Sequence, residues 1–377
     1  MVSPLLKGYL MNAFNPSSLM AVSLIEKMSS QVRLRLLPSA RCLFDEPVQV
    51  KVGGLRSRQV VTMRARSTDD RGLVFSSTAT YRADGRGEIH LDRDPSLGGS
   101  YVGVEPLGLL WSMRADTFAQ KGKGRMLAEA TNERLLMGDG VSRLDVNEGN
   151  ISGVLFTPPG DGPFPAVLDL CTFKCEKRAS LLANRGFVVL TVAVFNDKPA
   201  NVKKMHLDYF EEAADFLKQH PKVGSKGIGI VSRSKAGDIA LSLASFVPAV
   251  EAVVWINGCN ANVLFPLYHK KQQILSPLLF DSSRGIPTES GAIMIKYGLN
   301  NPLAEENKGS LVPIEKAWGR FLFVASEDDL NWDSKGYMEE MVERLKRHGK
   351  DNFESVCYPG AGHYMEPPYG PYCPLQF

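Results

Sequence analysis

Ser234 stands where the character of the chain changes. The run "GIGIVSRSKAGDIALSLASF" (227–246) opens as a short apolar strand, turns through Ser-Arg-Ser-Lys-Ala-Gly and continues as an apolar helix. A serine lifted from a sheet by such a corner, with small residues Ser232 and Ala236 on either side, has the form of a nucleophile elbow. A serine hydroxyl attacks only when a base takes its proton and an acid orients that base. Two other strand ends could supply them. The strand "RFLFVAS" is followed by Asp328 and Asp329, and the strand "ESVCY" by a Gly-rich loop carrying His363. Serine, aspartate and histidine in that chain order, at strand ends, is the arrangement of a hydrolytic triad on an α/β sheet. The plainer account makes Ser234 part of an ordinary turn and lets the aspartates cap a helix starting near Ser334. Order, spacing and strand-end position together favour the triad. The remaining histidines fit structural places: His206 and His220 on one helix, His348 at the end of another, His269 in a polar stretch and His90 in an early strand.

The elements that must position these residues alternate from about residue 150. Apolar strands such as "FPAVLDL", "GFVVLTVAVF" and "VEAVVWING" are separated by helical stretches, which predicts a doubly wound, mostly parallel sheet. The helix "MHLDYFEEAADFLKQHPKV" is expected to bury Tyr209, Ala213, Phe216 and Leu217 and to end at Pro221. Earlier, "VQVKVGGL", "QVVTMRARS", "LVFSSTATYRA" and "GEIHLDRD" carry apolar residues at period two between Gly- and Asp-bearing turns. Regular short strands of this kind predict an Ig-like β-sandwich, with Trp111 expected in its core. The expected domains are an extension without fixed structure over 1–32, the sandwich over 33–149 and a C-terminally short α/β-hydrolase domain over 150–377.

Composition narrows the function. The net charge of +3 has no long basic block behind it, so nucleic acid is not the expected partner. No apolar run approaches the roughly 20 residues of a membrane helix, and a soluble protein is expected. Six scattered cysteines include no Cys-x-x-Cys pair. Cys171 and Cys175, the one close pair, lack a His-x-x-x-His companion, so no metal is expected and the thiols should be reduced. The N-terminal stretch is broken by Pro4, Asn12, Asn15 and Pro16 and makes a poor secretory signal. The cytoplasm is the expected location, with the mitochondrion or peroxisome as alternatives.

Longer motifs add a family. "FDEPV", "YRADGRGEIHLDRDPSLGGSYVGVEPLGLLWSM", "MHLDYFEEA", "SKAGDIALSLASF", "INGCNANV", "EDDLNW" and "YPGAGHYMEPPY" are among motifs that run from about Phe44 to Tyr372. Through them the chain resembles the type I acyl-coenzyme A thioesterases, a family shared with bile acid-coenzyme A:amino acid N-acyltransferase. The resemblance implies an N-terminal β-sandwich and a C-terminal α/β hydrolase that cleaves fatty acyl-coenzyme A in fatty acid metabolism. It places the nucleophile on Ser234, the acid on Asp329 rather than Asp328, and the base on His363. The backbone N–H groups of Lys235 and Thr172 are the expected oxyanion donors. No cofactor is implied beyond the coenzyme A of the substrate itself, and a monomer or weak homo-oligomer is expected. The acyltransferase branch uses cysteine as nucleophile, so serine points to hydrolysis; transfer to an amino acid, or acyl-coenzyme A binding with weak turnover, are the alternatives. Two departures stand out. Where the family has a Gly-rich stretch after the strand ending "DL", this chain reads the shorter, glycine-free "CTFKCE", and the elbow carries Ser232 and Arg233 in place of glycine and an apolar residue.

Overall fold

The computed structural model describes residues 17–25, 32–69, 72–116, 126–196, 199–224, 227–288 and 293–369. They fall into two compact units, one formed by described residues of 17–138 and 366–369 and the other by those of 139–365.

In the first unit, Val60–Thr68 and Val74–Arg82 pair as an antiparallel hairpin. Val61, Met63 and Ala65 are buried on one strand, Ala79 and Tyr81 on the other, which is the period-two pattern of a half-buried sheet. A three-stranded sheet of Arg33–Leu37, Gln49–Gly53 and Ile89–His90 brings Leu36, Val50, Val52 and Ile89 into the same core. Two sheets around one core make the expected β-sandwich. Two expectations are corrected here. Ser17–Ile25, assigned to an unstructured extension, is a strand between Met126–Leu135 and Val60–Thr68, antiparallel to both. Its partners lie far along the chain, so no local signal marks it. Trp111 is 37% exposed: it closes the single helical turn Gly108–Trp111, and its ring lies 6.0 Å from that of Tyr101.

The second unit is built on one sheet of eight strands: β1 (Ser142–Glu148), β2 (Ile151–Thr157), β3 (Ala166–Cys171), β4 (Val188–Ala193), β5 (Ile228–Arg233), β6 (Val250–Ile256), β7 (Arg320–Ser326) and β8 (Phe353–Tyr358). Across the sheet they run β1, β2, β4, β3, β5, β6, β7, β8. β2 is antiparallel to both its neighbours, and all pairings from β4 to β8 are parallel. Helices α1 (Lys177–Ala183), α2 (Leu207–Gln219), α3 (Ala236–Phe246) and α4 (Ser334–Arg347) connect them. Every residue of β3 and β4 is buried, as expected for strands covered on both faces.

The second unit therefore starts before residue 150. Gly149, at φ 59°, is a hairpin turn that pairs Glu148 with Ile151, and the change of pattern there marks this turn instead of a domain boundary. α2 also differs in detail. It buries Leu207, Phe210, Ala213, Ala214 and Leu217, while Tyr209 stays at the edge with its hydroxyl donating to the Ser152 carbonyl at 3.1 Å. A phenol keeps its polar end where a partner is available, and that turns the buried stripe away from it.

Candidate active site

Ser234 follows directly on β5, and α3 begins two residues later. Its φ of 61° lies in the left-handed region, a conformation that costs a non-glycine residue about 1–3 kcal/mol and persists only where neighbours enforce it. The neighbours do so. The Ser234 N–H donates to the Ile256 carbonyl at 3.0 Å, and its own carbonyl accepts from Gly237 N–H at 2.8 Å. Close packing behind the turn needs Gly258, where a Cβ would sit 3.0 Å from the Ser234 carbonyl oxygen and 2.6 Å from Trp255 Nε1. Ser232, the other serine of the corner, is fully buried, and its hydroxyl donates to the Val254 carbonyl at 3.2 Å. It is part of the sheet. The Ser234 hydroxyl oxygen instead accepts from the indole N–H of Trp332 at 3.1 Å.

The two aspartates after β7 separate cleanly. Asp328 is exposed, and its N–H donates to the Ala361 carbonyl. Asp329 is 1% exposed with both carboxylate oxygens engaged. Oδ1 accepts from the N–H groups of Asn331 (2.8 Å) and Trp332 (3.1 Å). Oδ2 accepts from the Ser334 hydroxyl (2.6 Å) and pairs with Nδ1 of the buried His363 at 2.9 Å. Such a pair holds the imidazole in the tautomer that leaves Nε2 for proton transfer.

Asn257 brings the histidine loop to the elbow. Sequence reading passed over it, because its partners are remote in the chain. It is fully buried at φ 45°, an angle asparagine tolerates. Its Nδ2 donates to the Ser326 hydroxyl (2.8 Å) and the His363 carbonyl (2.9 Å), and its Oδ1 accepts from Ser326 N–H (2.8 Å). Consecutive residues Ile256 and Asn257 thus hold the backbones of Ser234 and His363. The residues flanking those two also meet: the Arg233 guanidinium lies 3.8 Å from the Tyr364 ring centroid. Among the described residues no hydrogen bond joins Ser234 to His363 directly; Trp332 and Asp329 link them.

Both residues expected to line an oxyanion hole flank this serine. Lys235 sits at the helix entrance, where the first N–H groups have no intrahelical partner. Its side chain turns inward to the buried Asp238, with Nζ 2.9 and 2.7 Å from the two oxygens. Burial still holds the Asp238 carboxyl above its ordinary value. Thr172 reaches the elbow from the other side, its hydroxyl donating to the Arg233 carbonyl at 3.4 Å. The loop that carries it is tied down at both ends: Arg178 donates to Asp169 (2.6 Å) and Leu170 (3.0 Å), and Arg143 bonds both oxygens of Glu176 (2.7 and 3.0 Å). Within it the neighbouring Cys171 thiol draws the Cys175 thiol down, against the cost of burial and with help from Arg233, while the Cys171 thiol is itself pushed up.

A small polar cavity of about 120 Å³ lies beside the same loop, lined by Asp145, Asn147, Lys174, Cys175, Thr191 and Asn196 among others; neither Ser234 nor His363 borders it. Among the described residues, Asp208, Glu211 and His269 are near enough to share a cation. Their groups are already engaged, His269 Nε2 with Glu211 at 2.7 Å and the Lys270 N–H with Asp208 at 3.0 Å. The Lys270 ammonium, 3.9 Å from Glu211, opposes a second positive charge there.

The strand order and the strained serine after β5 place the second unit in the α/β-hydrolase class. Residues 205–377 match the family described as BAAT / acyl-CoA thioester hydrolase C terminal, and residues 45–123 match the acyl-CoA thioester hydrolase/BAAT N-terminal region. Human acyl-coenzyme A thioesterase 6 is 42% identical over 365 residues, covering 90% of this chain and 86% of that protein. Human mitochondrial acyl-coenzyme A thioesterase 2 is 40% identical over 367 residues, covering 90% of this chain and 76% of that one. A crystal structure of dienelactone hydrolase from Anabaena variabilis is similar over 61% of this chain and 91% of its own, with 17% identity and a TM-score of 0.38. The chain belongs to the acyl-CoA thioester hydrolase/BAAT family.

Proposed function

We propose that this protein hydrolyses acyl-coenzyme A to a free acid and coenzyme A, with Ser234 as nucleophile, His363 as base and Asp329 as the acid behind it. The observation that carries the reading is the buried Asp329–His363 pair tied, through Trp332 and Asn257, to a serine held at φ 61°. His363 Nε2 takes the Ser234 proton as Oγ bonds to the thioester carbonyl carbon. The C–S bond then breaks toward sulfur, and the imidazolium returns the proton to the thiolate. Water repeats the sequence, releasing the acid and restoring the serine. The tetrahedral oxyanion faces the N–H of Lys235 at the mouth of α3, with the N–H of Thr172, on the short glycine-free loop, as a weaker second donor.

Every reacting group is a side chain, so the reading calls for no cofactor. No described helix is long and apolar enough to cross a membrane. We place the protein in the cytoplasm, with the mitochondrion or peroxisome as alternatives, and as a monomer or weak homo-oligomer. The test is thiol release from short-, medium- and long-chain acyl-coenzyme A. Ser234→Ala should lower turnover by about 10³-fold or more, while Ser232→Ala, which loses one bond inside the sheet, should leave most of it. Equal losses would refute Ser234 as nucleophile. Release that depends on added glycine or taurine would make the protein an acyltransferase.

A further inference from the structure

We infer that Trp332 is a further catalytic residue, whose indole N–H stabilises charge on the Ser234 oxygen in both halves of the reaction. The inference rests on Ser234 being the nucleophile. The indole nitrogen is 3.1 Å from Oγ, and an indole N–H can only donate. It therefore occupies one acceptor position of the hydroxyl oxygen and leaves the O–H free to turn toward another acceptor, the role assigned to His363.

The placement is built. The backbone N–H of Trp332 is held by Asp329 Oδ1 at 3.1 Å, that of Asn331 by the same oxygen at 2.8 Å, and the Ser334 hydroxyl by Oδ2 at 2.6 Å. One buried carboxylate thus fixes the turn that aims the indole at the serine and, through its other oxygen, the imidazole. Satisfying an indole is not a general demand of this core, because Trp255 Nε1 is buried without a hydrogen-bond partner among the described residues.

The chemistry follows from where charge develops. In acylation, Oγ becomes partly negative as its proton moves to His363 and its lone pair closes on the carbonyl carbon. In deacylation, the C–Oγ bond breaks with the electron pair returning to Oγ, which then recovers its proton. A neutral donor already pointed at this atom gains strength in both steps, since hydrogen bonds to a charged oxygen are roughly twice as strong as neutral ones. In the ground state it holds only a hydroxyl. The gain is therefore specific to the transition states and should appear in kcat with KM unchanged.

The test uses the full chain and two variants. Trp332→Phe keeps an aromatic ring and removes the donor. Replacing Trp332 with 3-benzothienylalanine changes only the ring N–H to sulfur and preserves the shape if phenylalanine disturbs folding. Each protein is assayed for thiol release and for the rate at which a fluorophosphonate labels Ser234, a reaction that needs the activated serine and no coenzyme A. Both variants should be labelled about 10-fold more slowly, with kcat lowered in proportion and KM within twofold of the parent. Labelling and kcat within twofold of the parent would overturn the role of Trp332, as would a loss confined to KM, which would make the indole a binding contact. A parent chain that is neither labelled at Ser234 nor able to release thiol would instead overturn the nucleophile assignment beneath it.

Discussion

Two loops leave the carboxyl edge of the same sheet, and they spend their hydrogen bonds differently. The loop after β7 converges on a single carboxylate: Asp329 accepts from two backbone N–H groups and a hydroxyl and holds His363. The loop after β3 has a buried carboxylate at its base too, Asp169, but that one is committed to Arg178 and so to anchoring α1. Its far end is committed to Arg143. Between these anchors the Thr172 hydroxyl is bonded to the elbow, at the Arg233 carbonyl. One loop is organised around the Asp329–His363 pair; the other is organised around the fold and touches the elbow in passing. In the proposed reaction the Asp329–His363 pair is already formed before substrate arrives, while the second oxyanion donor would come from a segment anchored at both ends.

The largest test of this contrast removes the centre of the first loop. Asp329→Asn should lower kcat by about 10⁴-fold, the loss expected when the imidazole is left in the wrong tautomer. Asp328→Asn alters an exposed side chain and should stay within twofold, as thiol-release kinetics would show. Comparable losses would mean that the convergence on Asp329 is not what organises the site.

A second test gives the other loop what it lacks. Inserting two glycines between Thr172 and Cys175, with Glu176 and Arg178 kept, lets backbone amides turn inward through angles closed to threonine, phenylalanine and lysine. An oxyanion donor is worth about 10²–10³ in turnover, so kcat should rise by up to about 10²-fold at constant KM. No rise, with the fold intact by circular dichroism, would show that Lys235 and Thr172 already complete the hole.

The smallest effect reads the second loop's own electrostatics. With its thiol drawn down, Cys175 should be alkylated by iodoacetamide along a pH profile whose midpoint lies well below the usual cysteine value. An ordinary cysteine would still be climbing near its usual value of 9.0. Cys171→Ala removes the principal cause of the shift and should move the midpoint upward. A Cys175 profile that rises only around pH 9 would show that the loop does not hold the two thiols in register.

Much of the site could be read directly from the order of residues. A short apolar strand running into an apolar helix marks the elbow at Ser234, because a backbone cannot make that change without a tight corner. A Gly-rich loop behind a strand marks His363 for a related reason. The choice between Asp328 and Asp329 is not local, since both follow the same strand; it came with the family resemblance, and burial separates them in the structure.

Local pattern determined the period-two strands of the sandwich, the buried strands of the hydrolase sheet and the chemistry available at three strand ends, because each depends on neighbours within a few residues. Tertiary structure alone decided the rest. Ser17–Ile25 becomes a strand only through partners brought from distant parts of the chain. Ser142–Glu148 belongs to the second unit because a glycine turn pairs it with β2. Asn257 and Trp332 act on His363 and Ser234 across 106 and 98 residues. A hydrogen bond depends on distance in space, and no spacing along the chain announces one that folding has yet to close.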